Sequence, residues 1–302
     1  MNPKITKALK DPYYACFLFL NKVGRFVCDE SFVKWKYFLT FHKKLNLKNP
    51  QTYNEKLQWL KLYDRHEEYT KLVDKYEAKK CAASIIGDEY IIPTLGIYNS
   101  FDEINFDELP NRFVLKCTHD SGGVAICRDK NTFDFKKARK LLTRNLKRNK
   151  YWTSREYPYK NIQPRIIAEE YMEDAGSKEL NDYKFYCFDG KPVCVLVCTD
   201  RGTKVKYYYF SPKWVFLRWD KETGKITDDT PLEKPKDLDV MLKIASELSK
   251  GLTEVRIDLY DINNKVYFGE FTFFSNSGLD LDITEECDYK LGEYIRLPVS
   301  SK

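Results

Sequence analysis

The chain has 302 residues, of which 43% are hydrophobic and 32% are charged, a composition typical of a globular protein with one large domain or two smaller ones. Its net charge of +6 is small for this length. The charge is compatible with anionic substrates such as nucleotides, but it is too weak to indicate a nucleic-acid-binding protein.

The first apolar run covers residues 13–20. It is too short for a membrane span, which needs roughly 20 apolar residues. Asp11 and Pro12 precede it and no small-residue cleavage site follows, so it does not have the form of a secretory signal either. We therefore expect a cytoplasmic protein. Because aromatic and basic residues continue to residue 44, the N-terminal segment either packs on the body of the protein or lies on the inner face of the cytoplasmic membrane.

Residues 1–70 are predicted to be a helical, aromatic-rich extension. A helical apolar stripe covers residues 54–63, with Thr52 and Glu55 placed as a capping box. A second helical pattern covers residues 70–86. An extended segment at 90–95 and strands at 112–117 and 124–128 follow, and the two strands enclose a short glycine-containing loop.

The second half is predicted to be rich in strands. A basic helix at 135–150 comes first. Its charges are interpreted as a solvated face or as a patch for an anionic glycan or a lipid-phosphate carrier, in preference to a nucleic-acid site. Strands are predicted at 165–172, 183–188, 192–199, 204–209, 214–219, 253–260 and 265–273. Asp189 and Gly190 form a strong hairpin signal. With a helix at 237–250, these elements predict an α+β protein built on antiparallel sheets.

The nine cysteines show neither regular spacing nor a Cys-x-x-Cys pair. In a chain of this length such a set predicts free thiols in a reducing compartment, and it argues against a disulfide framework or a zinc site. The cysteines that lie in apolar runs, and that we expect to be buried, are Cys117, Cys127, Cys187, Cys194 and Cys198.

Lys116 ends an apolar strand, and a small loop follows it. Glycine in such a loop lets backbone N–H groups approach an anion closely, so the loop can close over phosphates above the lysine. The spacing is not that of a Walker A loop. The alternative is an ordinary hairpin with a lysine at its edge. The loop residues proposed to contact phosphate are His119, Ser121, Gly122 and Gly123.

Two acids, Glu169 and Glu170, end another strand and are followed by Tyr171 and Met172. A strand end of this kind can present backbone groups and a carboxylate to the amino edge of a purine. The alternative is a strand that ends in solvated acids.

The hairpin at residues 253–273 carries Arg256, Asp258, Glu270 and Thr272. Residues two apart on a strand share a face, so the two acids can converge if the turn pairs the strands. Two carboxylates suit Mg²⁺ that is held partly by substrate phosphates, and the arginine could neutralise charge on a transferred phosphoryl group. The alternative is a surface hairpin with a salt bridge.

Taken in order, these segments resemble the ATP-grasp superfamily, and two stretches resemble its TupA-like group of bacterial surface-polysaccharide clusters. The two stretches are residues 47–63 and 288–293. The resemblance implies an ATP-grasp fold with two α+β subdomains clasping ATP. The domains implied are an N-terminal helical extension (1–70), a first subdomain (71–165) and a second subdomain (166–302).

The resemblance also implies roles for individual residues. Lys75 and Lys116 match phosphate-contacting lysines, with residues 119–123 as a lid. Residues 169–172 match the adenine segment, and Asp182 (or Glu179) falls where a ribose-binding acid is expected. Arg256 matches the arginine near the γ-phosphate, with Lys116 beside it in catalysis. The implied cofactors are ATP and Mg²⁺, with Asp258, Glu270 and Thr272 as metal ligands.

One position departs from the family pattern. Many members have asparagine where this chain has Thr272, whose hydroxyl is a weaker oxygen ligand. Asn276 is a possible substitute.

The implied activity is a carboxylate–amine ligase acting on a surface glycan through an acyl phosphate. The partners would be ATP, a carboxylate- or hydroxyl-bearing sugar acceptor and an amino-acid or amine co-substrate. A sugar kinase on the same scaffold is an alternative. A glycosyltransferase is another, because Asp280-Leu281-Asp282 has the Asp-x-Asp form. A glycan-binding protein without activity is a further alternative, which the presence of both predicted metal acids disfavours.

Overall fold

The computed structural model describes residues 10–174, 180–200 and 204–298. The helices are α1 (Pro12–Val23), α2 (Asp29–Phe41), α3 (Tyr53–Tyr63), α4 (Glu68–Val73), α5 (Lys75–Ile86), α6 (Phe135–Leu146), α7 (Tyr151–Ser154), α8 (Leu238–Ser249) and α9 (Glu285–Tyr294). The strands are β1 (Thr94–Tyr98), β2 (Phe113–Cys117), β3 (Val124–Cys127), β4 (Ile166–Glu170), β5 (Asp182–Phe188), β6 (Lys191–Thr199), β7 (Lys206–Phe210), β8 (Phe216–Leu217), β9 (Val255–Asp261) and β10 (Val266–Thr272).

The first sheet, here the front sheet, has the order β1-β4-β2-β3, and all its pairs are antiparallel. Alternation along β2 buries Phe113 and Leu115 against α6 and turns Lys116 to the opposite face. The predicted domain division at residues 165 and 166 falls just before β4, which this sheet includes. The front sheet therefore extends to residue 170.

The second sheet, here the rear sheet, has the order β10-β9-β5-β6-β7-β8 and is also antiparallel throughout. The predicted Asp189-Gly190 hairpin is confirmed, with positive φ angles of 46° and 76° at the two turn residues. Helices α3, α5, α8 and α9 contribute to the core of this sheet. Two sheets with separate cores confirm the predicted α+β architecture.

The predicted helix at 70–86 is interrupted at Asp74, whose backbone is extended. Its carboxylate accepts hydrogen bonds from the backbone N–H groups of Tyr76 and Glu77, so it caps a new helix instead of continuing the previous one. The predicted basic helix is likewise shorter than expected and ends at Leu146.

Helix α3 is an integral part of the rear-sheet core, although the sequence placed it in an extension. The capping box of Thr52 and Glu55 is confirmed. Leu57 and Leu60 are buried in that core. The polar face of α3 contacts the loop after β10: Lys61 and Gln58 both donate to the carbonyl of Ser277.

The segment before α3 is attached to the body through Arg155, which is completely buried. Its guanidinium donates to the carbonyls of Gly24 and Val27 and pairs with Asp29 at 2.7 Å. Several aromatic side chains of this segment stay exposed, Phe26 at 90%. Within the described residues, no helix has the length and apolarity needed to cross a bilayer.

Candidate functional site

Helix α5 carries two lysines that reach different acids. The Nζ atom of Lys75 lies 3.8 Å from Oε2 of Glu270 on the rear sheet. Lys79, one turn later, forms an ion pair with Glu169 on the front sheet. Residues four apart on a helix rise about 6 Å along one face, so the two acids lie along the same stretch of α5. This helix therefore joins the two sheets along one cleft.

Glu169 is buried between two cations. Its Oε2 atom lies 2.5 Å from Nζ of Lys116, and its other oxygen pairs with Lys79. Burial alone would raise the pKa of Glu169, but the charges and hydrogen bonds of the two lysines outweigh it and lower the pKa to about 2. Lys116 and Glu169, which were predicted to contact the phosphates and adenine, thus form an ion pair.

The rest of the predicted adenine segment lies at the exposed end of β4. The side chain of Glu170 is exposed, and its backbone N–H donates to the carbonyl of Pro93. Arg112 lies 4.4 Å from the ring of Tyr171. Met172 is half-buried. The predicted ribose acid Asp182 is buried with Oδ2 3.4 Å from Nζ of Lys184, and Glu179 lies outside the described residues.

The predicted lid connects β2 to β3. Lys75 donates to the carbonyl of Asp120 at 2.6 Å, so the loop contacts the first of the two lysines predicted to bind phosphate. Ser121 and Gly122 are exposed. The ring of His119 is buried instead, with Nε2 3.2 Å and 3.1 Å from the carbonyl oxygens of Asn145 and Arg148. His119 therefore anchors the loop to the end of α6.

The two glycines of this loop should respond differently to alanine. A Cβ at Gly123 would lie 2.7 Å from Sγ of Cys117 and 3.0 Å from Oδ1 of Asp120, whereas a Cβ at Gly122 would meet no atom within 4 Å. Crowding of this kind typically costs about 1–3 kcal/mol. We expect Gly123→Ala to lower the free energy of unfolding in urea by this amount and Gly122→Ala to leave it nearly unchanged. Equal effects in the two variants would contradict the packing described.

The hairpin of β9 and β10, predicted to bind the metal, pairs Glu270 directly with Asp258. Regular pairing from Phe268 and Leu259 would place Gly269 opposite Asp258, but the register shifts between residues 268 and 270. This bulge at Gly269 brings the two carboxylates together. The bulge was not predicted, although a lone glycine within a strand is a known signal for one.

Asp258 is buried and bound by two cations. Arg256 donates to it from Nε at 2.6 Å and from Nη2 at 2.9 Å, and Lys184 on the neighbouring strand β5 forms a second ion pair. Sequence reasoning missed Lys184. Its position two residues after Asp182 indicated that both side chains share one face of β5. Its place next to Asp258 follows from the pairing of β5 with β9.

Glu270 completes the cluster. The hydroxyl of Thr272 donates to its Oε1 atom at 3.2 Å, and Nη2 of Arg256 lies 3.9 Å from the same oxygen. Partial burial would raise the pKa of Glu270, but the charges of Lys75, Lys184 and Arg256 outweigh it and lower the pKa to about 2. The carboxylate is therefore ionised at neutral pH.

The donor set fits Mg²⁺ that shares its coordination with a substrate. In the described part of the chain no group of three or more His, Cys, Asp or Glu side chains could hold a metal ion by itself. Asp258 and Glu270 supply two hard carboxylates, and Mg²⁺ commonly binds one or two carboxylates together with substrate phosphates. Thr272 lies beside them, whereas Asn276 donates to Oδ2 of Asp280 at 2.7 Å.

A second missed residue is Lys150, which the sequence placed on a solvated helix face. Its Nζ atom lies 2.8 Å from the buried carboxylate of Glu156. Burial alone would lower the pKa of Lys150, but Glu156 outweighs it and raises the pKa well above its ordinary value, with a smaller contribution from Glu270. Lys150 therefore pairs with Glu156 and adds a small positive influence on Glu270.

Together, cations of the front half and acids of the rear hairpin meet at one cleft. Lys75 contacts both the lid and Glu270. Lys79, on the next turn of α5, pairs with Glu169, which also pairs with Lys116. Clustered cations beside two carboxylates are suited to a polyphosphate with a divalent cation. Asp280 and Asp282, the residues of the Asp-x-Asp pattern, lie on the wall of an adjacent cavity.

Comparisons with known proteins gave one family match and several similar solved structures. The model of the TupA-like ATP-grasp family matches residues 55–296. No curated protein sequence matches the chain. Among solved structures, D-alanine–D-alanine ligase from Bacillus anthracis complexed with ATP is similar at 16% identity and a TM-score of 0.40, covering 67% of this chain and 54% of that one.

Two further structures are similar at this level. The ATP-grasp ligase PsnB complexed with minimal precursor, Mg and ADP has 11% identity and a TM-score of 0.39, covering 90% of this chain and 66% of PsnB. D-alanine–D-alanine ligase from Helicobacter pylori has 18% identity and a TM-score of 0.38, covering 81% and 69%. The chain spans about half the length of the Bacillus anthracis ligase complexed with ATP.

Proposed function

Because the chain belongs to the TupA-like ATP-grasp family, we propose that it is an ATP- and Mg²⁺-dependent ligase that joins a carboxylate to an amine. The membership confirms the predicted ATP-grasp fold and the predicted resemblance. The proposed setting is the cytoplasmic synthesis or modification of a bacterial surface polysaccharide, at the inner face of the membrane. The resemblance of residues 47–63 and 288–293 to this group supports that setting.

The observation that carries the proposal is the contact between Lys75 and Glu270, at 3.8 Å. It brings a cation of the front half to an acid of the rear hairpin. A bound Mg²⁺-triphosphate needs cations for its phosphates and acids for its metal ion in the same cleft. Lys116 and the exposed lid residues Ser121 and Gly122 would contact the phosphates, while His119 anchors the lid. Residues 169–172 would hold adenine. Asp182 would bind the ribose.

Arg256 would act at the reacting phosphoryl group. Its guanidinium lies between Asp258 and Glu270, so its charge is fixed where negative charge would develop on the γ-phosphate. Asp258 and Glu270, with Thr272, would hold Mg²⁺, which when bound supplies charge neutralisation to the phosphates. Lys184 pairs with Asp258, and the charges of Lys75 and Lys184 help to keep Glu270 ionised.

The proposed reaction has two steps. In the first step, an oxygen of the substrate carboxylate attacks the γ-phosphorus, and the bond between this phosphorus and the β-phosphate oxygen breaks. ADP is released, and the substrate becomes an acyl phosphate. The nitrogen of the neutral amine then attacks the carbonyl carbon, phosphate leaves, and the amine proton passes to solvent. The contribution of the protein is to position the reactants and neutralise charge.

The test is to measure both products of ATP with pairs of carboxylates and amines in the presence of Mg²⁺. A ligase releases ADP and phosphate in equal amounts, and only when both co-substrates are present. ADP without free phosphate, together with a phosphorylated sugar when a sugar is the only acceptor, would establish a sugar kinase instead. A lack of turnover with any pair would count heavily against the proposal. Nucleotide titrations of the parent and of Lys116→Ala, with and without Mg²⁺, test the ATP site separately. We expect Lys116→Ala to weaken nucleotide binding.

A further inference from the structure

Large hydrophobic side chains are exposed most densely near the start of the chain. Of the sixteen that are exposed in the described part of the chain, five lie between residues 13 and 38, a stretch of less than a tenth of the described residues. The five, here called the aromatic patch, are Tyr13, Phe19, Phe26, Trp35 and Phe38. Phe26 is 90% exposed, Phe19 65% and Trp35 59%. A dense group of exposed apolar side chains typically marks an interaction surface.

Helices α1 and α2, which carry most of the patch, lie side by side. Tyr13 at the start of α1 contacts Phe38 near the end of α2, with ring centroids 6.2 Å apart, so the two helices are antiparallel. The inner face of α2 is fixed to the body: Phe32 is buried, and Nζ of the buried Lys36 donates to the carbonyl of Thr153 at 2.5 Å. Packing on the body therefore uses one face of this helix pair and leaves the aromatic side chains of the other face exposed.

Exposed cations are interleaved with the patch. Lys22 follows Phe19 by three residues, so the two lie one turn apart on α1. Arg25 directly precedes Phe26, and both side chains are exposed. Neither cation forms an ion pair with an acid in the described part of the chain. Further exposed cations at the ends of the two helices are Lys10, Lys43 and Lys44.

The acids of this segment do not offset its cations. Residues 1–50 contain ten lysines and arginines but only three acids, whereas the whole chain contains 51 and 45. Two of the three acids already have partners, since Asp29 pairs with Arg155 and Glu30 pairs with Lys34. The rest of the chain is close to neutral, so the positive excess lies in the segment that carries the patch.

An anionic lipid bilayer matches this combination of side chains. Phenylalanine and tryptophan insert at the level of the lipid headgroups, and lysine and arginine beside them bind anionic headgroups. A second copy of the chain matches it less well, because joining two copies of the patch would bring two sets of cations together.

We propose that the outer surface of α1, α2 and the turn between them binds the anionic surface of a lipid bilayer, with the aromatic patch inserted among the headgroups. Lys22 and Arg25 supply charge that selects anionic over neutral lipid. The inference adds a contact surface to the proposed membrane setting and does not depend on the proposed reaction. Packing on the body and contact with a membrane, which are alternatives from the sequence alone, then use different faces of the same helices.

The test measures binding of the full chain to lipid vesicles by co-sedimentation. The vesicles consist of phosphatidylcholine alone, or of phosphatidylcholine and phosphatidylglycerol in equal amounts. We expect binding to the anionic vesicles that weakens as salt is added, and little binding to the neutral ones. Phe26→Ser should weaken the binding about tenfold, because burial of a phenylalanine side chain contributes about this factor. Val215→Ser is the matched control, since Val215 is 60% exposed but lies beside β8 on the rear sheet.

Lys22→Gln combined with Arg25→Gln should weaken binding to the anionic vesicles about fivefold for each charge removed. The matched control is Lys140→Gln combined with Arg144→Gln, because both are exposed cations of the basic helix α6. This control should bind the vesicles as the parent does. Circular dichroism would verify that each variant is folded.

The inference is overturned if the parent does not bind the anionic vesicles, if Phe26→Ser binds as tightly as the parent, or if the α6 variant loses as much affinity as the variant of Lys22 and Arg25. Self-association of the chain that Phe26→Ser abolishes, without vesicle binding, would assign the patch to a second copy instead. Each of these results leaves the proposed reaction standing, because the release of ADP and phosphate is measured without vesicles and decides it separately.

Discussion

Asp258→Asn should lower kcat/KM for ATP about a thousandfold, the upper range for the loss of one preorganised electrostatic group at a transition state. The substitution keeps the shape of the side chain but removes its charge. Arg256 and Lys184 then lose the anion that both contact, and the proposed metal site keeps only one carboxylate. We also expect the Mg²⁺ concentration for half-maximal activity to rise.

The control for this variant is Asp261→Asn. Asp261 lies on the same strand β9, three residues further along, and is paired with Val266 at the far end of the hairpin. The Asp261→Asn variant also loses one negative charge, but outside the cluster of Asp258, Arg256 and Lys184. Its kinetic constants should therefore equal those of the parent. Circular dichroism would verify that both variants are folded. An Asp258→Asn protein with more than a tenth of the parental turnover and an unchanged Mg²⁺ requirement would exclude Asp258 as a metal ligand.

Glu169→Gln should be the most destabilising of the substitutions considered. Glu169 is buried, and it is the shared partner of Lys79 and Lys116. Removing one member of a buried ion pair typically costs about 3–5 kcal/mol, because the remaining charge is left without a partner. Urea denaturation should show a loss of this size. Glu170→Gln, at the adjacent exposed position, should change the free energy of unfolding very little.

The same ion pairs make stability depend on pH in a defined window. The pKa of Glu169 is about 2 in the folded protein, against an ordinary value of 4.5, because its two lysines favour the ionised form. Its contribution to stability is therefore fully present above pH 4.5 and is lost as the pH falls from 4.5 to 2. Glu169→Gln should lack this part of the acid transition. An identical pH profile in the variant and the parent would show that the ion pairs do not stabilise the fold.

Local patterns predicted many of the elements and candidate residues. The capping box of α3, the Asp189-Gly190 turn and the buried free cysteines were all readable because neighbouring residues determine them. Alternation along a strand likewise placed Arg256 and Asp258 on one face. The ATP-grasp resemblance then gave the order in which the site residues occur.

What the sequence did not reveal depends on pairing between distant segments. The alignment of Glu270 with Asp258 follows from a one-residue bulge, and register is fixed by the whole sheet. The role of Lys184 depends on β5 lying beside β9, which no local pattern specifies. The membership of β4 in the front sheet likewise follows from its pairing with β1 and β2, on either side of it in space.

The contacts of helix α3 have a consequence for how substrate preference could diverge among relatives. Asn54, Gln58 and Lys61 hold the backbone between residues 277 and 280, and residues 279–283 line the cavity next to Arg256. A change in the shape of that lining would have to preserve these bonds or be matched by a change on the helix. Positions 54, 58 and 61 should therefore covary with positions 276–282 when sequences with different acceptors are aligned, even though more than two hundred residues separate them in the chain.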